Sequence, residues 1–167
     1  MVRFQMQMSH RLLEQVLEGV GEEDLKAKSA GTINPMSSIL AHIVFVEDNL
    51  VNGRVMERET VAAQGNWAAK TGVTEPAAPR QPDDSGDWVK DMDIAAFREY
   101  AKAVWAATDE ALANAPDDVL GRELDMGPLG KQTALHLVGG IALYHVGQHT
   151  GEIAALKGVR GLKGLPF

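Results

Sequence analysis

The chain has 167 residues, a formal net charge of −7, 45% hydrophobic and 23% charged residues, and no cysteine. That length suits one domain, residues 1–167, whose core needs no covalent staple. The missing thiols exclude disulfides, iron–sulfur clusters, thiolate zinc sites and a cysteine nucleophile. The acidic balance, without a Lys/Arg block, argues against nucleic acid or an anionic membrane as partner. No signal-peptide core or membrane-length apolar run is present, so a cytoplasmic location with no membrane association is expected.

The first predicted element is a helix from about residue 3 to about residue 20, with Met6, His10, Leu13, Leu17 and Val20 on one stripe. "GVGEEDL" then breaks it. A second helix follows in "NPMSSILAHIVFVEDNLVNG", where Asn34 is suited to the N-cap and Pro35 to the first helical position. Ile39, Ile43, Val46 and Leu50 form its apolar stripe, with Gly53 as an end signal and His42 on the inner edge. Residues 60–92 read as a long loop carrying Pro76, Pro79 and Pro82, either a lid or a plain insertion. Trp67 and Trp88, near its ends, favour docking on the core.

The third helix is "DIAAFREYAKAVWAATDEALANA", capped by Asp93, with Ile94, Phe97, Ala101, Val104, Thr108 and Ala111 as its packed seam. "GRELDMGPLGKQ" predicts a small hairpin or irregular excursion around a Gly-Pro turn. Thr133 then caps a fourth helix running to about Lys157, with Gly158 as the stop. The last residues, Leu165, Pro166 and Phe167, can pack on the domain or on a partner subunit. Four helices with long connections predict an all-α four-helix bundle.

The five histidines are His10, His42, His136, His145 and His149. Four residues advance about 40° around a helix, so His145 and His149 share a face and can chelate one ion. His136 precedes His145 by nine residues, about half a turn out of phase, and should point elsewhere. A bare His-x-x-x-His needs a third ligand. His42 is the best candidate, and His10, on its apolar stripe, reads more naturally as a hydrogen-bonded core residue. The alternative that all five are ordinary structural or surface histidines stays open. Gly147 and Gly151 each cost a helix interior about 1 kcal/mol relative to Ala. Together with Gly139 and Gly140 they are equally explained by a tight helix–helix contact.

"EEDL" after the first helix, "ILAHIVFVEDN" in the second and "YHVGQHTGEIAAL" in the last together resemble the DinB-like (YfiT-like) metalloenzyme superfamily. The similarity spans nearly the whole chain, and its specific parts are "LAH" and the His-x-x-x-His-x-Gly stretch continuing into "EIAAL". The resemblance implies a four-helix bundle, commonly a homodimer, with a divalent metal held by His42, His145 and His149. Many relatives carry Gln where this chain has Glu152, which becomes either an acceptor behind an imidazole N–H or a plain surface charge.

The family's characterised branches use the metal to activate a low-molecular-weight thiol, bacillithiol or mycothiol, for transfer or isomerisation. The resemblance therefore implies a thiol-dependent S-transferase acting on a small-molecule substrate. A metal-dependent hydrolase is the second enzyme reading, and a non-catalytic metal-binding or interaction module is the third. Zinc is the default ion for three imidazoles, with nickel and iron also accommodated. Tyr144, Gln148 and Asn49 are candidate helpers, and only Asn49, seven residues after His42, has a face argument.

Overall fold

The computed structural model describes residues 1–28, 33–74 and 87–167. Four long helices make the frame. The first, α1 (Val2–Leu17), is followed by a short α2 (Glu22–Lys26). The second long helix is α3 (Met36–Glu47), which continues without a break as a π-helical segment, Asp48–Val55. Two short helices, α4 (Val61–Gln64) and α5 (Trp67–Thr71), precede the third long helix, α6 (Ile94–Asn114).

After the short α7 (Asp117–Gly121), strands β1 (Glu123–Asp125) and β2 (Lys131–Thr133) pair antiparallel, Leu124 opposite Gln132. This is the expected hairpin. The last long helix begins as α8 (Ala134–His136), passes through a π-helical segment, Leu137–Ala142, and continues as α9 (Leu143–Val159).

Around the bundle, α1 neighbours α9 and α6, and α3 also neighbours both. Side-chain contacts fix the directions. Arg3 meets Asp109 and His10 stacks on Trp105, so α1 and α6 are antiparallel. Gly139 lies beside Val2 while Lys157 reaches Val16, so α1 and the last helix are parallel. Phe45 packs on Phe97 and Asp48 bonds Tyr100, so α3 and α6 run the same way. Parallel neighbours cannot be joined by a tight turn. The long excursion between residues 56 and 93 is the crossover this topology demands.

Most of the core lies between α1, α3, α6 and α9, around Leu13, Leu40, Ile43, Phe97, Val104 and Ile153. A second cluster, including Met6, Val51, Val55, Leu137 and Val138, fills the end near the hairpin. The α3 helix is buried nearly all round, not only along the predicted stripe: Leu40, Ala41, Val44 and Phe45 are buried too, while Val46 is half-buried. The Lys157 ammonium donates to the Val16 carbonyl at 2.5 Å and the Glu18 carbonyl at 3.1 Å, closing the C-terminal end of α1 with a positive charge.

Several boundaries differ from expectation. The first helix ends at Leu17, although Val20 is still buried. Pro35, not Asn34, occupies the N-cap of α3, and Gly53 lies inside the π-helical extension rather than ending it. Asp93 and Thr133 do cap as predicted, accepting from the Ala96 and His136 N–H groups. The final helix runs past Gly158 to Val159, and it is Gly161 that adopts the positive φ, +77°. The tail crosses α9 at Gly164, where a Cβ would come 2.8 Å from the Ala154 carbonyl oxygen; Phe167 is exposed.

The predicted loop over 60–92 is partly helical, through α4, α5 and a 3₁₀ turn at Asp87–Val89. Both tryptophans dock on the core: Trp67 packs against Tyr100, and the Trp88 Nε1–H donates to Ser38 Oγ. Pro76, Pro79 and Pro82 lie outside the described residues. Among the described residues, no helix is long and apolar enough to cross a membrane.

Candidate metal centre

The antiparallel pairing of α3 with α9 brings His42 opposite His145 and His149. One nitrogen from each ring can be chosen so that all three lie within 4.8 Å of one another. Ring centroids are 4.6 Å apart for His42 and His145, 5.0 Å for His42 and His149, and 4.5 Å for His145 and His149. The rings meet edge to face, at 68°, 84° and 72°, so no pair stacks. Such an arrangement converges nitrogens on a point instead of filling space with carbon.

The His145 and His42 Nε2 atoms are 2.8 Å apart. Two facing imidazole nitrogens need either one shared proton or one cation that takes both lone pairs. Protonation is resisted: burial first, then the neighbouring His149 and His42, hold His145 down from 6.5 to about 3. The His145 ring therefore meets neutral solution with a lone pair available. His145 Nδ1 is buried and has no hydrogen-bond partner among the described residues.

His149 is oriented from behind. Its Nδ1 lies 2.7 Å from Glu152 Oε2, one turn along α9. A carboxylate accepting from Nδ1–H selects the tautomer that leaves Nε2 as a lone-pair donor. This donor set suits a divalent cation of the first transition row: three imidazoles and one outer carboxylate.

The other two histidines are elsewhere. The His10 Nε2 pairs with Glu47 Oε2 at 2.8 Å, and its ring stacks on Trp105 with centroids 5.1 Å apart. His136 is exposed, and its ring lies over Gly140, where an added Cβ would come within 2.7 Å of it. The half-turn offset of His136 from His145 holds for an unbroken α-helix, whereas the wider turns of the π-helical segment intervene; His136 is outside the three-histidine group all the same.

Tight packing does not account for the glycines of α9. A Cβ added at Gly147 or Gly151 would meet nothing within 4 Å among the described residues, and Gly139 makes only an ordinary contact with Val2. Of the helper candidates, Tyr144 and Gln148 point to solvent, while Asn49 donates to the Phe45 carbonyl and borders a cleft beside α4.

Two functional-looking carboxylates escaped the sequence reading. Glu47 and Asp48 are both 1% exposed. Glu47 holds His10, and its Oε1 has no partner among the described residues. Asp48 accepts from the Val61 and Ala62 N–H groups and from the Tyr100 hydroxyl, each at 2.9 Å, and so fastens α4 and α6 to α3. The signal was present: two adjacent acids inside an otherwise apolar helix must be paired to be tolerated. Two π-helical segments, packed on each other, follow Glu47 and precede Leu143, so the helix irregularities sit on the two helices that carry the imidazoles.

Comparison with known proteins bears on the family and the fold. No curated protein matches the chain significantly. A solved structure, the conserved protein of a locus from Enterococcus faecalis, superposes with a TM-score of 0.78 over 96% of this chain and 95% of that one. Its sequence identity is 15%, so the likeness is one of fold. The sequence profile of the DinB superfamily matches residues 5–153, a span that takes in all three imidazoles and Glu152, and the chain belongs to that family.

Proposed function

We propose that this protein binds one divalent cation through His42, His145 and His149 and uses it as an enzyme, a low-molecular-weight-thiol-dependent S-transferase. The observation that carries the reading is the convergence of three imidazoles, with one nitrogen of each within 4.8 Å of the others. A cation bound by three imidazoles keeps open positions and stabilises a thiolate or a hydroxide at neutral pH.

The chain's own residues supply the rest. The depressed basicity of His145 keeps protons from competing for its lone pair. Glu152 fixes the His149 ring, so that two of the three donors are set before any ion arrives. With no cysteine in the chain, the reacting sulfur has to be brought in by a small thiol such as bacillithiol or mycothiol. Zinc is the first ion to test, with nickel and iron as alternatives.

The working unit in this proposal is a homodimer. Phe4 and Met8 on α1 are 64% and 46% exposed, Tyr144 on the neighbouring α9 is 62% exposed, and Gly147 and Gly151 lie open on that helix. Apolar knobs beside a side-chain-free strip are the elements of a self-complementary face.

The test begins with metal content by mass spectrometry on untagged protein beside His149→Ala. The expected result is about one ion per chain in the wild type and loss in the variant. The metal-loaded protein is then assayed with small thiols and electrophiles, and with ester or amide substrates in parallel. Turnover that requires the thiol supports the transferase, and thiol-independent turnover replaces it with a hydrolase. No bound ion after reconstitution with zinc and nickel overturns both.

A further inference from the structure

A cleft of about 310 Å³ opens between α3, α4, α5 and α6. Its volume is at the small end of ligand pockets, roughly 300–1,000 Å³. Aromatic walls come from Phe45, Trp67 and Tyr100, and polar edges from Asn49, Asn66 and Thr60. None of the lining residues is charged among the described residues.

Phe45 lies on α3, three residues after His42, and Asn49 lies in its π-helical continuation. Phe45 is about 60° from His42 around the axis, and Asn49 lies about 10 Å further along it. The cleft and the imidazole cluster therefore share one helix, with Phe45 and His42 three residues apart on it.

The walls are built, not incidental. Asp48 ties the first turn of α4 to Tyr100 through three bonds. Thr71 Oγ1 donates to the Trp67 carbonyl, and the Asp93 N–H donates to the Thr71 carbonyl, locking α5 to the start of α6. Trp67 folds back over Gly65 so closely that a Cβ there would be 2.3 Å from its Nε1. Asn66, between them, holds a left-handed φ of 48°.

We propose that this cleft binds the neutral, ring-bearing part of the substrate, an aromatic group carrying a hydroxyl or amide, and presents it toward the three imidazoles. The proposal rests on the enzyme reading above for the meaning of that presentation. The aromatic walls suit an edge-to-face or offset ring contact, and Asn49, Asn66 and Thr60 can bond a hydroxyl or amide without charge. An anionic substituent is disfavoured because the buried Asp48 carboxylate lies behind Tyr100, and the cation nearest the walls among the described residues, the Lys70 ammonium, is outside the lining and already engaged with the Trp67 ring, 4.4 Å from its centroid.

The experiment uses the whole protein with p-nitrobenzyl alcohol, a neutral nitroaromatic that quenches tryptophan, and its anionic counterpart p-nitrobenzoate. Saturable quenching by the alcohol is expected, about 10-fold tighter than by the benzoate, or about 1.4 kcal/mol. Ala63→Leu and Ala68→Leu, which fill the cleft from exposed helix positions, should each weaken it about 10-fold, and Trp67→Phe should remove most of the signal. Equal quenching by the two compounds, or no effect of either leucine, overturns the proposal.

His149→Ala should leave the quenching intact, which separates the cleft from the ion. In protein loaded with cobalt, the ring protons of the bound alcohol should broaden by paramagnetic relaxation. Cobalt bound without such broadening places the cleft away from the imidazoles and overturns the proposal. A failure to bind cobalt, with the quenching preserved, instead sinks the enzyme reading and with it the substrate role of the cleft.

Discussion

Replacing Asp48 by Asn is the sharpest test of how α3 organises its surroundings. Asp48 Oδ1 accepts from Val61 N at 2.9 Å and Asn52 Nδ2 at 3.2 Å, and Oδ2 accepts from Ala62 N and the Tyr100 hydroxyl, each at 2.9 Å. Every partner is a donor, and the carboxylate is 1% exposed. An amide keeps one oxygen but turns the other position into a donor. Whichever way it is placed, an NH₂ group faces a backbone N–H at a position closed to bulk solvent.

One unsatisfied buried donor costs about 1–3 kcal/mol, and the bonds that remain lose their charge assistance. A total near 3 kcal/mol is expected. With a urea dependence of about 2 kcal/mol/M, the unfolding midpoint falls by about 1.5 M at unchanged slope. Tyr100→Phe, which removes one donor and leaves the others, should cost about 1–2 kcal/mol. The double variant should cost less than the sum, because both remove the same bond. Urea unfolding followed by circular dichroism and by tryptophan fluorescence measures all three. A midpoint shift below about 0.5 M for Asp48→Asn would refute the claim that this carboxylate holds α4 and α6 against α3.

The buried His10–Glu47 pair gives a second prediction: Glu47→Ala should destabilise by about 3–5 kcal/mol, and joint replacement of both by leucine should recover much of that loss, read by the same unfolding assay. For pH, the folded value of His145 lies near 3 against 6.5 when unfolded, so the unfolded chain binds more protons between those values. Stability of the metal-free protein should therefore be full above about pH 6.5 and fall as pH drops toward 3, and His145→Gln should flatten that slope. Gly147→Ala and Gly151→Ala put a methyl group into open space, so each should stabilise an isolated subunit by up to about 1 kcal/mol. If the α1–α9 face forms the homodimer, the same changes weaken association in analytical ultracentrifugation; unchanged association removes the glycine strip from the interface.

The periodicity of the sequence was enough for the four long helices, because each carries an apolar stripe whose burial is the main free energy available to it. The caps at Asp93 and Thr133 were legible for a local reason, a side-chain oxygen placed to accept from an N–H three residues on. His145 and His149 were a pair on spacing alone, since four residues on one helix are neighbours whatever the rest of the chain does.

The remainder depended on the third dimension. That His42 and not His10 joins the pair is decided by the antiparallel contact of α3 with α9 and by Glu47 taking the His10 ring. The parallel course of α3 and α6, the anchoring of α4 by Asp48 and the aromatic cleft are long-range contacts with no local spacing to announce them. The two π-helical segments shift phase within helices that read as regular. Local spacing thus determined which residues could act, and only the packing of one helix on another decided which of them meet.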